Sequence, residues 1–378
     1  MKILFPYMAR WFAVNWTRYH SLLTALAEKG HEIHVLQPPA LKSDETNFQE
    51  IDEFHQENMI ITDVKLNDAI WKTKFPFDKL VKKAYYSLKA YSFTRKYIKD
   101  KQIDVVLTYN IPQSKFTKIN NVIHVFDYAD DYIDMLSQEL GSLDNFIIRA
   151  YAKRLLNNMM DRSDVVLSVS HELASLCEGN VHVIPNGVTE KIVTKENKIT
   201  KDRPVIGFVG SFEYFIDFDI IINSAIILQE FDFHLIGTGR DFSMVKSKIQ
   251  SSGINNIKLF GGVPHDEIFN YISDMDICLN IFKPIDVSHR ACPIKLFEYM
   301  SMKKPVISTR LRELKYIDDG FLFYADTVDE FVNVARKIIR EPDLSNNCSE
   351  RGYNLTINEY TWEKIADKLT KIINDIKQ

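Results

Sequence analysis

From its second residue the chain alternates short apolar runs with longer segments of helical period, and few folds accept that rhythm. An apolar run of about four to eight residues bounded by turn residues reads as a buried strand, and apolar positions recurring every three to four residues read as a helix laid on a sheet. Strand and helix in regular succession build a parallel sheet covered on both faces. In the first half the strand candidates are Lys2–Phe5, Glu32–Leu36, Met59–Thr62, Asp104–Thr108, Val122–Phe126, Asp164–Val169 and Val181–Ile184. Between the first two, Leu22, Leu23, Leu26 and Ala27 recur at helical spacing, opened by Thr17 and stopped by Gly30. No internal repeat is present, which sets solenoids aside.

The rhythm restarts after a polar, lysine-rich stretch, with strand candidates Pro204–Val209, Phe233–Ile236, Ile257–Phe260, Ile277–Asn280 and Pro305–Ser308. At 378 residues the chain is about twice what one hydrophobic core serves, so two doubly wound domains are expected. The divisions fall at 1–188 for the first domain, 189–203 for a linker and 204–357 for the second. Residues 358–378 form a terminal helix with an apolar stripe of Ile365, Leu369, Ile372, Ile373 and Ile376, reached through three helical stretches with no intervening strand.

Formal charge is −4, so no bulk field favours nucleic acid. The four cysteines are scattered, without the close pairs of a zinc site or a disulfide framework, and the N-terminus lacks a signal-peptide core. A cytoplasmic protein with no structural metal and no cofactor is expected. Two local imbalances stand out. Residues 72–101 hold ten Lys or Arg against two Asp, interleaved with aromatics; Lys82, Lys89 and Lys96 fall on one helical face, and Val81, Ala84, Tyr85, Leu88 and Tyr91 on an apolar one. Such a helix suits an anionic membrane surface or a polyanionic substrate, which would make the protein peripheral on the inner face of the cell membrane, or else it is a solvated face with its tyrosines inward. Residues 124–145 hold six carboxylates and no Lys or Arg, beginning where the Val122–Phe126 strand ends. Carboxyl ends of parallel strands form ligand crevices, so Asp127, Asp130 and Asp131 are candidate catalytic groups; an N-capping cluster is the equal alternative.

Glycine is scarce, 13 in all, and seven of them lie between Gly207 and Gly262. Three places are strand exits, at Gly210-Ser211, Gly237-Thr238-Gly239 and Gly261-Gly262, where bare backbone can approach a phosphate. Neither the dinucleotide fingerprint nor the P-loop motif is complete. The most specific segment is CPIKLFEYMSMKKPVIST at 292–309: Pro293 suits a first helical turn, and Lys295 and Glu298 share a face. A cation at a helix N-terminus can hold a diphosphate, and a carboxylate one turn on can grip a ribose diol.

KLFEYM followed by KPVI, IPNGV at 184–188, the FGGVPHDEI loop and the terminal YTWEKI segment resemble the group 1, family 4-like glycosyltransferases of the GT-B fold. The resemblance spans nearly the whole chain and is nearest to a branch that makes bacterial surface polysaccharides, which also carries a D-x-x-D-D run and a segment like GSFEYFIDFD. It implies two Rossmann-like doubly wound domains facing a cleft, the terminal helix crossing back to the first. It implies a nucleotide-diphosphate sugar as co-substrate, UDP-sugar favoured, and a glycan or lipid-linked saccharide as acceptor. The donor would meet Gly210, Ser211, Gly237, Val263, Pro264, Arg290, Lys295 and Glu298, with Gly210 and Ser211 at the diphosphate, Val263 and Pro264 by the base, Lys295 on the phosphates and Glu298 on the ribose. Two departures stand out: Arg290 occupies a place where the family often has a glutamate on the donor sugar, and the usual Lys-Gly after the first strand of the second domain is replaced by Tyr214–Asp219.

Asp217-Phe218-Asp219 and Asp274-Met275-Asp276 match a metal-binding Asp-x-Asp but read as structural. His171 and His265 read as local polar partners, and His289-Arg290 as a loop pair able to touch sugar or phosphate. Rival readings are a nucleotide-sugar epimerase or phosphorylase of the same fold and a catalytically degenerate, glycan-binding subunit.

Overall fold

The computed structural model describes residues 1–12, 16–39, 57–67, 78–141, 144–189 and 202–377. It divides into two compact units, Met1–Ile184 with Ala366–Gln378, and Pro185–Ile365. The linker read at 189–203 lies almost wholly outside the described residues, as do 72–77 of the basic segment.

The first unit carries strands β1 (Lys2–Pro6), β2 (Glu32–Gln37), β3 (Met59–Asp63), β4 (Val105–Thr108), β5 (Ile123–Tyr128), β6 (Val165–Ser168) and β7 (Val181–Val183). They form one all-parallel sheet in the order β3-β2-β1-β4-β5-β6-β7. Its helices are α1 (Arg18–Glu28), α2 (Asp78–Lys101), α3 (Tyr132–Leu140), α4 (Phe146–Arg162) and α5 (His171–Ala174). The central strands are buried on both faces, which is why Ile3, Leu4 and Phe5 or Val105, Val106 and Leu107 read as continuous apolar runs rather than alternating ones. Strand order reverses between β1 and β4, so the crevice at their carboxyl ends is the natural binding place of this unit.

The rotation of α2 differs from the expectation. Its buried stripe is Tyr86, Ala90, Thr94 and Ile98, while Val81 and Leu88 are exposed and Lys82 is buried. The reason is polar: the Tyr86 hydroxyl donates to the Leu36 carbonyl at 3.0 Å and Ser87 Oγ donates to the Pro112 carbonyl, so two buried backbone acceptors fix which side turns inward.

The second unit carries β8 (Val205–Val209), β9 (Asp232–Ile236), β10 (Ile257–Gly261), β11 (Ile277–Asn280), β12 (Val306–Ser308) and β13 (Phe323–Tyr324), all parallel in the order β10-β9-β8-β11-β12-β13. Its helices are α6 (Phe218–Ile227), α7 (Phe242–Ser252), α8 (Ile268–Ser273), α9 (Asp286–Arg290), α10 (Ile294–Ser301), α11 (Val328–Arg340) and α12 (Pro342–Glu359), and the last helix, α13, spans Trp362–Lys377. The two-residue β13 interrupts the run of helices read as strand-free; it is too short to leave a period. The switch of strand order falls between β8 and β11.

The first unit ends at Ile184 rather than 188, and the chain returns to it at Ala366 rather than 358. Val188 forms a bridge with Thr361, its amide donating to the Tyr360 carbonyl at 2.9 Å and its carbonyl accepting from Trp362 at 3.0 Å, which ties 185–188 to the second unit. Later in α13, Asp367 pairs with Lys29 at 2.7 Å and the Thr370 hydroxyl meets His31 at 3.0 Å, within the first unit.

Candidate functional site

In the second unit the exit of β8 is built against the start of α10. Val209 donates its amide to the Tyr299 hydroxyl at 2.8 Å, which clamps the helix to the strand end. Asn186 donates to the Cys292 carbonyl at 2.6 Å and so holds the residue before Pro293; Asn186 is the asparagine of IPNGV. Pro293 is the N-cap, not the first helical residue, and no side chain caps the helix. The early amides of α10 therefore keep donors to offer.

Lys295 points from the first turn to the glycine of the β8 exit. Its ammonium lies 3.9 Å from the Phe208 ring centre and 5.5 Å from that of Phe282, and a carbon added at Gly210 would stand 2.7 Å from it. No carboxylate pairs with it among the described residues. Burial pulls its pKa from 10.5 down to about 7, more than the charge of Glu298 raises it. A cation held on aromatic faces without a counter-ion is a place where an anion is welcome.

Glu298, one turn on, is buried, and its carboxylate meets His265 Nε2 at 3.3 Å. Val263 and Pro264 lie in the turn after β10 that delivers this histidine. His265 thus has a partner 33 residues away rather than a local one, and it couples the turn to the glutamate. Sequence spacing carries no signal for that pairing. Tyr299 lies inside KLFEYM, but its clamp on Val209, 90 residues away, leaves no signal in the spacing either.

Gly210 departs from the expectation. The Gly210 amide is not open to a ligand, because it donates to the Ile236 carbonyl at 3.0 Å. Gly237, at φ +131°, packs so closely that a side-chain carbon would land on the Gly210 carbonyl oxygen. These glycines let two strand exits lie backbone to backbone; the amide next in line, at exposed Ser211, has no backbone partner among the described residues.

Arg290 is tethered to Asp286 at 3.0 Å, and Asp286 also accepts from Arg312 at 3.2 Å. Arg312 and then Arg290 hold the Asp286 carboxyl below the usual range. His289 accepts the Arg312 amide at 3.3 Å. Asp217 caps α6 through the Ile220 amide at 3.1 Å and Asp276 accepts from Val205 at 2.8 Å, so both Asp-x-Asp runs hold backbone.

In the first unit the three aspartates separate. β5 runs two residues further than its apolar pattern, which places Asp127 inside the strand, fully buried. There it binds the Arg18 guanidinium at 2.8 and 3.2 Å, while Arg18 also donates to the Ile184 carbonyl at 2.7 Å. A sealed, doubly bonded carboxylate is structural, so Asp127 leaves the catalytic set. Asp131 caps α3, accepting from the Asp134 amide at 3.2 Å. Asp130 alone is exposed. Surrounding protein, then the charges of Asp127 and Asp131, push its pKa up to about 7 against the pull of Arg18. Because its side chain meets solvent, the like charges are the cause that survives best.

Beside these groups stands a wall of aromatics. Tyr19 lies 4.5 Å from Tyr109 and 5.0 Å from Phe5, and Tyr132 lies 5.7 Å from Tyr128, ring centre to ring centre. Burial, followed by the Tyr132 hydroxyl and the Asp127 carboxylate, pushes the Tyr19 hydroxyl well above its usual range.

Two doubly wound parallel units define the GT-B class, and solved structures agree. Sucrose-phosphate synthase from Thermosynechococcus elongatus superposes with TM-score 0.78 at 14% identity, covering 99% of this chain and 98% of that one. Anabaena HepE, solved in complex with UDP-glucose, superposes with TM-score 0.74 at 14% identity, covering 99% and 100%. A family model described as Glycosyltransferase Family 4 matches residues 16–191, and one described as Glycosyl transferases group 1 matches 203–341. The chain belongs to the group 1, family 4-like glycosyltransferases.

Among relatives, an uncharacterised glycosyltransferase of Methanocaldococcus jannaschii is 24% identical over 222 residues, 57% of this chain and 60% of that protein. The putative teichuronic acid biosynthesis glycosyltransferase TuaH of Bacillus subtilis is 25% identical over 171 residues, 42% of each. The matched stretches thus span about half the length of these relatives.

Proposed function

We propose that the protein transfers a sugar from a nucleotide-diphosphate sugar, a UDP-sugar in first place, to a glycan or lipid-linked saccharide during surface-polysaccharide synthesis. The observation that carries it is Lys295: a cation with no carboxylate partner among the described residues, set on Phe208 against Gly210, at the uncapped start of α10. The donor diphosphate lies there, met by the Lys295 ammonium, the Ser211 amide and the first amides of α10. Glu298, steadied by His265, takes the ribose hydroxyls, and Val263 and Pro264 flank the base. As the acceptor hydroxyl attacks, the glycosidic bond to the diphosphate breaks and the developing negative charge passes to the same donors, placed in advance.

Asp130 is the acceptor-side group. If transfer inverts the sugar it takes the acceptor proton; if transfer retains, the proton passes to the departing diphosphate oxygen and Asp130 orients the acceptor hydroxyl. Asp131 supports it by capping α3. The UDP and UDP-glucose complexes of Anabaena HepE and the teichuronic-acid name of TuaH support this choice of donor and pathway class. Saturation-transfer measurements against UDP-, GDP- and dTDP-sugars test it: binding of one series, lost in Lys295→Ala, is expected. Absence of any nucleotide binding would favour the degenerate glycan-binding subunit.

A further inference from the structure

Helix α4 has more apolar surface than its fold uses. Its inward stripe is Ala152, Leu156 and Met159, all buried. On other sides, at its N-terminal end, Phe146 is 79% exposed, Ile147 77% and Tyr151 63%. Single exposed apolar residues are ordinary; three large ones within two turns of one helix are a patch. Cations stand among them. From 144 through 162 there are four Lys or Arg against two Asp, and one of those, Asp144, is engaged by Arg149 at 3.5 Å. Arg149, Lys153 and Arg154 line a cavity of about 710 Å³ with Ile133 of α3 and with Asn157 and Asn158.

We propose that this α3–α4 corner of the first unit seats on an anionic phospholipid bilayer. Phe146, Ile147 and Tyr151 enter the interface, and the cavity cations take lipid phosphates. The charge favours that occupant: an apolar tip ringed by arginine and lysine matches a negatively charged headgroup layer. The surroundings extend it. Both α2 and α4 pack against the turn Ile111–Gln113, and right-handed crossovers from β3 to β4 and from β5 to β6 put both helices on one face of the sheet. On that face α2 exposes Lys89, Lys96, Val81 and Leu88. The basic helix noticed in the sequence is thus a flank of the seat, and α4 is its apolar centre.

Flotation of the full chain with vesicles of phosphatidylcholine alone, and of phosphatidylcholine with phosphatidylglycerol in equal parts, tests the proposal. Binding to the mixed vesicles only, weakened by salt, is expected. R149Q/K153Q/R154Q is expected to lose about a hundredfold in partition, and F146S/I147S/Y151S a comparable amount, both with unchanged nucleotide binding as the control for folding. Equal binding to the two vesicle types, or either triple variant floating like the wild type, overturns it. So does a dimer in sedimentation without lipid that F146S/I147S/Y151S dissolves, since the patch would then belong to a second copy.

Discussion

Raising the pH should weaken donor binding through one amine. In the empty site burial holds Lys295 near 7, so at neutral pH it is about half charged. A diphosphate beside it favours the ammonium and restores a pKa of about 10, so binding draws a proton. With those two values, proton linkage lowers affinity about 50-fold between about pH 7 and about pH 9. Below neutrality the sign holds but the slope vanishes, because the free amine is already protonated. Half-burial of the side chain lets solvent relax part of the shift, so about tenfold is the least the reasoning requires. A nucleotide sugar is the right ligand: its diphosphate is esterified at both ends and lacks the second phosphate ionisation near about pH 6. Calorimetry at about pH 8 in buffers of different ionisation enthalpy should show uptake of about 0.9 proton per donor bound. Lys295→Met should flatten the profile and weaken binding at neutral pH by roughly 10- to 150-fold, the worth of a charge-assisted hydrogen bond. Affinity in the wild type that is level from neutral to alkaline pH, without proton uptake, would refute the placement of the amine at the diphosphate.

Asp130→Asn should lower transfer by about 10²–10⁴-fold if the aspartate is the base, with donor affinity unchanged in the same titration. Its raised pKa puts the acid limb of the rate profile above the ordinary carboxylate range, rate rising with pH, and the variant should lack that limb. Arg18→Met leaves Asp127 buried without its cation and should cost about 3–5 kcal/mol in denaturant unfolding, whereas a loss of activity at full stability would return Asp127 to the catalytic set. Gly237→Ala should destabilise by about 1–3 kcal/mol and weaken donor binding, since the added carbon meets the Gly210 carbonyl at a positive φ; an unchanged melting temperature would show that the two strand exits can part.

The local arrangement at the start of α10 was largely legible, and the separation of the three aspartates after β5 was not. KLFEYM is a local motif: its lysine, glutamate and helix start lie within six residues, so spacing alone sets them on one face. The carboxylates of 127–131 looked equivalent because each follows the same apolar run. What separates them is distant: Arg18 claims Asp127 across 109 positions, and the end of β5 is set by pairing with β6 rather than by its own hydropathy. His265 and Glu298 were each noticed, but their meeting was not, for the same reason.

The sequence by itself determined the parallel α/β architecture, the presence of two cores and the placement of Lys295 and Glu298 at the start of α10. These follow from periodicity and short-range spacing, which each segment carries alone. Only the tertiary structure decided which side of α2 is buried, which amide at Gly210-Ser211 stays open and which aspartate stays exposed. Each of those is a competition for one hydrogen-bond or charge partner, and the winner depends on what distant strands bring within about 3 Å.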